Sequence, residues 1–88
     1  MVEAKTIIRR PIGHHLRSVS KFSSFVDKYN CSVNLIKENK TADAKSILNI
    51  LALRLEDGNS VVVRVHGADE ESVLKDILSY MEDDGESR

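Results

Sequence analysis

Hydrophobic positions along the 88-residue chain change their period several times, and each change marks an element. Between Val2 and Ile8 they alternate, with Val2, Ala4, Thr6 and Ile8 on one face, which predicts a strand that Arg9-Arg10-Pro11-Ile12-Gly13 ends. From Leu16 to Tyr29 the residues Val19, Phe22, Val26 and Tyr29 recur at spacings of three, four and three, the repeat of one buried helical stripe. Ser32 to Lys37 alternates again, with Val33 and Leu35 sharing a face, and Glu38-Asn39-Lys40 turns the chain into a short strand over Thr41 to Asp43. The two form a predicted hairpin.

The next segment, Ile47 to Leu53, is so dense in isoleucine and leucine that one helical face cannot absorb all of it. Part of it must be exposed or covered by a partner, and Leu48 and Leu51 are the expected exposed pair. Asp57-Gly58-Asn59 reads as a turn, Ser60 to His66 as a strand rich in β-branched residues, and Gly67-Ala68-Asp69 as the lead into a helix over Glu70 to Glu82. Val73, Leu74, Ile77, Leu78 and Met81 make its inner face. The order βαββαβα offers few connections long enough for parallel crossovers. The economical fold is therefore α+β: an open-faced sandwich of a four-stranded, mainly antiparallel sheet with three helices on one face.

Length sets this as one domain, residues 1–88, with about 83–88 a flexible acidic tail. No apolar run reaches the roughly 18 residues of a membrane span, and the charged start Met1-Val2-Glu3-Ala4-Lys5 lacks the core of a signal peptide, so no membrane insertion and a cytoplasmic location are expected. Cys31 is alone and reads as a small packing residue; no metal-ligand spacing occurs, and no cofactor is implied. A net charge of −1 argues against a nucleic-acid binder. The charge is unevenly placed, however. Lys5, Arg9, Arg10, Arg17 and Lys21 stand in a stretch without an acidic residue, whereas Glu82-Asp83-Asp84-Gly85-Glu86 is acidic, so one end of the molecule suits an anion.

His15 lies inside that basic stretch, just before a predicted helix and two residues ahead of Arg17. A neutral imidazole nitrogen is nucleophilic near neutral pH. Unpaired N–H groups and the macrodipole at a helix start favour an attached phosphate, and a guanidinium can grip two of its oxygens. Ser46, before the leucine-rich segment, reads as a helix N-cap.

The segment Gly13-His14-His15-Leu16-Arg17-Ser18-Val19 resembles the phosphorylation motif of the HPr family, the histidine-containing phosphocarriers of the bacterial sugar phosphotransferase system, at its glycine, histidine and arginine. A second family motif is matched by Lys45, Ser46, Ile47, Leu48 and Leu51, and the likeness extends to Asp57-Gly58 and to Gly67-Ala68-Asp69-Glu70. The resemblance implies that His15 accepts a phosphoryl group on Nδ1 from enzyme I and passes it to enzyme IIA, with Arg17 neutralising it and Leu16, Arg17 and Ser18 forming its seat. It implies a phosphohistidine carrier rather than an autonomous enzyme, acting as a monomer. It further implies regulatory phosphorylation of Ser46 by HPr kinase/phosphorylase, a catabolite-control transcription factor as partner, and docking over Ile47, Leu48 and Leu51. Magnesium would serve the donor and kinase reactions. His14 stands where the family has an apolar residue and is not read as the acceptor; His66 is read as structural.

The chain makes three departures from the family pattern. Ser18 replaces a proline, restoring a backbone N–H in the first turn and giving up rigidity worth about 0.4–1 kcal/mol. Arg54 replaces a glycine after the second helix, so a left-handed cap there is expected to be strained or absent. Ser20, Ser24 and Asp27 stand where relatives carry residues used against an acidic partner. These departures support an alternative: a regulatory paralogue that binds a transcription factor or enzyme according to the state of Ser46, without phosphorelay.

Overall fold

The computed structural model describes residues 1–9 and 15–82. Arg10, Pro11, Ile12, Gly13 and His14, and the acidic tail expected at 83–88, lie outside the described residues. The order is β1 (Val2–Ile7), α1 (Leu16–Asp27), β2 (Cys31–Lys37), β3 (Lys40–Asp43), α2 (Ile47–Leu53), β4 (Ser60–Gly67) and α3 (Glu70–Glu82). The four strands form one sheet in the order β1-β4-β2-β3, and every neighbouring pair is antiparallel. The expected α+β sandwich is the one observed.

Alternation decides which side of each strand is covered. Val33 and Leu35 of β2, Ala42 of β3 and Val61, Val63 and Val65 of β4 are buried beneath the helices, and Thr6 and Ile8 continue the inner face of the first strand. The helices supply Val19, Phe22 and Val26 from α1, Ile50 and Leu53 from α2, and Val73, Ile77 and Met81 from α3. Each set is spaced by three or four residues, so each helix presents one stripe to the sheet.

Three strand ends run one residue beyond their expected limits because a cross-strand partner waits there. Cys31 pairs with Gly67, and Lys37 pairs with Lys40 across the β2–β3 turn. Gly67 has φ +143, and a Cβ on it would stand 3.2 Å from both the Cα and Sγ of Cys31, so a side chain there would crowd the buried cysteine. Cys31 is the packing residue expected of it, buried with its thiol donating to the Ala68 carbonyl at 3.0 Å.

Candidate phosphoryl-transfer site

His15 is the N-cap of α1. Its backbone is extended, with φ −116 and ψ 127, and its carbonyl accepts the Val19 N–H at 2.9 Å. The imidazole makes no capping bond to the helix. The first-turn N–H groups, those of Leu16, Arg17 and Ser18, therefore have no intrahelical acceptor and are not closed off by the histidine ring. The first turn of α1 carries no acidic residue that would repel an anion. His15, Leu16 and Arg17 are exposed; Ser18 is half-buried and continues the helix as an ordinary first-turn residue.

A shallow groove runs along the outer side of α1 from this point, lined by Leu16, Arg17, Ser20, Lys21 and Ser24. Leu16, Ser20 and Ser24 follow one another at four-residue steps, as do Arg17 and Lys21, so two adjacent helical rows make a strip that is apolar at its start and basic along one edge. Lys21 was visible in the sequence as a basic residue, and the four-residue step from Arg17 is the signal that joins the two.

Ser46 caps α2 as its position suggested. Its hydroxyl accepts the Asn49 N–H at 3.3 Å, and its carbonyl accepts that of Ile50 at 3.1 Å. The preceding turn is held by Asp43, whose carboxylate accepts the Lys45 N–H at 2.9 Å and whose carbonyl accepts that of Ser46 at 3.0 Å. The Lys45 ammonium reaches across to the Tyr29 carbonyl, 2.7 Å away.

The expected exposed pair on α2 is only half present. Leu48 is 78% exposed, whereas Leu51 and Ile47 are half-buried and pack against the core. Ile47, Ile50 and Leu51 stand at steps of three and four and turn to the sheet together, which leaves Leu48 facing outward with Asn49 and Ala52. Helices α1 and α2 are in contact, so the exposed leucines of both, Leu16 at 65% and Leu48, belong to one helical layer.

His66 lies apart from this layer. It is exposed at the end of β4, with Nδ1 3.8 Å from the Glu70 carboxylate. Glu70 also accepts the Met1 ammonium at 2.8 Å and the Gly67 N–H at 3.1 Å; these bonds hold its carboxyl below the ordinary value. Among the described residues no group of three or more His, Cys, Asp or Glu is placed to hold a metal ion, and no helix is long and apolar enough to cross a membrane.

Comparison with known proteins finds relatives along nearly the whole chain. The family model described as "PTS HPr component phosphorylation site" matches residues 2–83. The HPr-like protein Crh of Bacillus subtilis is 27% identical over 84 residues, covering 96% of this chain and 99% of its own length. The phosphocarrier protein HPr of Mycoplasma genitalium is 28% identical, covering 93% of this chain and 94% of its own. The crystal structure of an HPr from Thermoanaerobacter tengcongensis superposes with a TM-score of 0.85 at 32% identity, covering 93% of this chain and 92% of that one.

Proposed function

This chain belongs to the HPr family of the phosphotransferase system, as phosphocarrier or Crh-like paralogue, and from that premise we propose that it carries a phosphoryl group on His15. The observation that supports this most directly is His15 itself. It is an exposed residue at the N-cap of α1, and its side chain makes no capping bond to the first-turn N–H groups beside Arg17. In the forward step an imidazole nitrogen attacks the phosphorus held by phosphorylated enzyme I; the donor's bond to phosphorus breaks as the N–P bond forms, and the nitrogen lone pair ends in that bond. The Leu16, Arg17 and Ser18 N–H groups and the Arg17 guanidinium then hold the phosphate oxygens. Transfer to enzyme IIA reverses the roles.

Such a carrier works between two proteins, so its nucleophile must be open and ringed by contacts rather than enclosed. The α1 groove and the exposed Leu16 and Leu48 supply that ring, with Ile47 and Leu51 behind it. Ser46, at the start of α2, is the regulatory position: a phosphate there adds about −1.5 to −2 charges where a helix start tolerates them, and the effect falls on whatever docks over α2. In this reading the protein works in the cytoplasm as a monomer. Its partners are enzyme I, enzyme IIA, HPr kinase/phosphorylase and a catabolite-control transcription factor.

The test is incubation with enzyme I, phosphoenolpyruvate and magnesium, which should place an acid-labile, base-stable phosphate on His15. His15→Ala should abolish the label and His14→Ala should retain it. A second reading, the regulatory paralogue, is favoured by Ser18 in the first turn and by the likeness to Crh along nearly the whole chain. It expects no label on His15 and partner binding that follows the state of Ser46.

A further inference from the structure

The seven-residue helix α2 carries the candidate docking residue Leu48 and begins at the candidate regulatory Ser46, yet it ends in an unfavourable way. Its C-cap, Arg54, adopts φ 56 and ψ 57, the left-handed region in which a side chain crowds its own backbone and which glycine enters without that penalty. The Arg54 N–H donates to the Leu51 carbonyl at 3.2 Å, a tightened i→i−3 closure. The carbonyls of Leu53 and Arg54 are taken up from outside the helix: the Lys37 ammonium donates to the first at 3.2 Å and to the second at 2.7 Å.

Strand parity explains why that lysine is there. Val33 and Leu35 face the helices, so Lys37, two residues further on, points the same way and is half-buried while its ammonium meets the end of α2. Its cross-strand partner is Lys40, so no opposite charge stands directly across from it to draw the ammonium away. A cation at a helix C-terminus also matches the negative end of the macrodipole.

We propose that Lys37 is a positioning residue for α2, clamping a helix whose arginine cap would otherwise let its last turn fray, and so sets how tightly a partner docks over Leu48. The second half rests on the phosphocarrier reading. Lys37 does not touch the phosphate in this scheme; it acts through the placement of α2.

The test compares the full chain with Lys37→Met, Lys37→Gln and Lys37→Arg, and with Lys37→Met combined with Arg54→Gly. Amide hydrogen exchange and the KM and kcat for phosphorylation by enzyme I are the readouts. In Lys37→Met the amides of Leu53 and Arg54 should exchange about tenfold faster, and KM should rise about three- to tenfold with kcat unchanged. Lys37→Arg should restore both, and so should Arg54→Gly, because glycine can hold the cap without the clamp. Lys37→Gln provides the same comparison should the methionine variant fail to fold. Unchanged exchange at α2 overturns the positioning role, and faster exchange with unchanged KM overturns its link to docking. If the unaltered chain takes no label from enzyme I, the phosphocarrier reading fails, while the exchange arm still decides whether Lys37 holds α2.

Discussion

The ammonium of Lys45 donates to the backbone carbonyl of Tyr29 at 2.7 Å, joining the residue before the α2 cap to the chain leaving α1. The Tyr29 hydroxyl in turn donates to Asp76 on α3 at 3.0 Å. Two side chains in series thus tie together the three helices that cover the sheet, and the first link is the Lys45 ammonium. Removing that link by Lys45→Met should cost about 1 kcal/mol, below the usual value for a charged hydrogen bond because solvent reaches part of the contact. For a domain of this size a loss of that order lowers Tm by about 4–8 °C. A calorimetric scan that shows no change would mean the bond contributes nothing to stability.

Arg17 is exposed in the first turn of α1. Arg17→Ala should therefore slow phosphoryl transfer to His15 while shifting Tm by no more than about 2–4 °C, since exposed surface substitutions commonly stay within roughly 0.5 kcal/mol. Stopped transfer assays on the variant check this; an undiminished rate would remove the guanidinium from the phosphate site.

Ser46→Asp separates the two roles of that residue. Aspartate is as good an N-cap as serine and its charge suits a helix start, so Tm should hold level or rise slightly. The same carboxylate should repel an acidic partner and leave a charge opposed to the apolar contacts around Leu48, slowing phosphorylation of His15 by enzyme I. A normal rate would place Ser46 outside the docking face.

Arg54→Gly should stabilise the protein by about 0.5–1 kcal/mol, the relief of a left-handed residue less the entropy glycine loses on folding. Chemical denaturation would register it as a higher midpoint with an unchanged slope. A lower midpoint would mean that the arginine side chain contributes more than its backbone costs.

Glu70 ties stability to acid. The Met1 ammonium first, then the Gly67 N–H, hold its carboxyl below the ordinary value of 4.5. A carboxyl depressed on folding adds stability that is complete above its unfolded pKa and is lost as the pH falls through its folded one. Stability should therefore decline as the pH drops from about 4.5, and Glu70→Gln should flatten that acid limb. Equal limbs in the two proteins would exclude Glu70 as its source.

The elements and their inward faces were legible in the chain alone. Periods of two and of three to four are properties of the chain, and the sheet and helices did nothing more than bury Val33 with Leu35, Val19 with Phe22, and Val73 with Ile77 where those periods placed them. The two cap positions, His15 and Ser46, were legible there too, because a cap is a local event within four residues. Other features arise where residues far apart in sequence meet in the folded molecule. Leu51 turned inward although Leu48 did not, because the phase of a short helix is set by the surface it sits on. Arg54 accepted a left-handed cap that its residue type disfavours, in a chain where Lys37, 17 positions earlier, satisfies its carbonyl. No local pattern records such a pairing, since the strand that delivers the lysine and the helix that receives it are brought together only when the sheet forms.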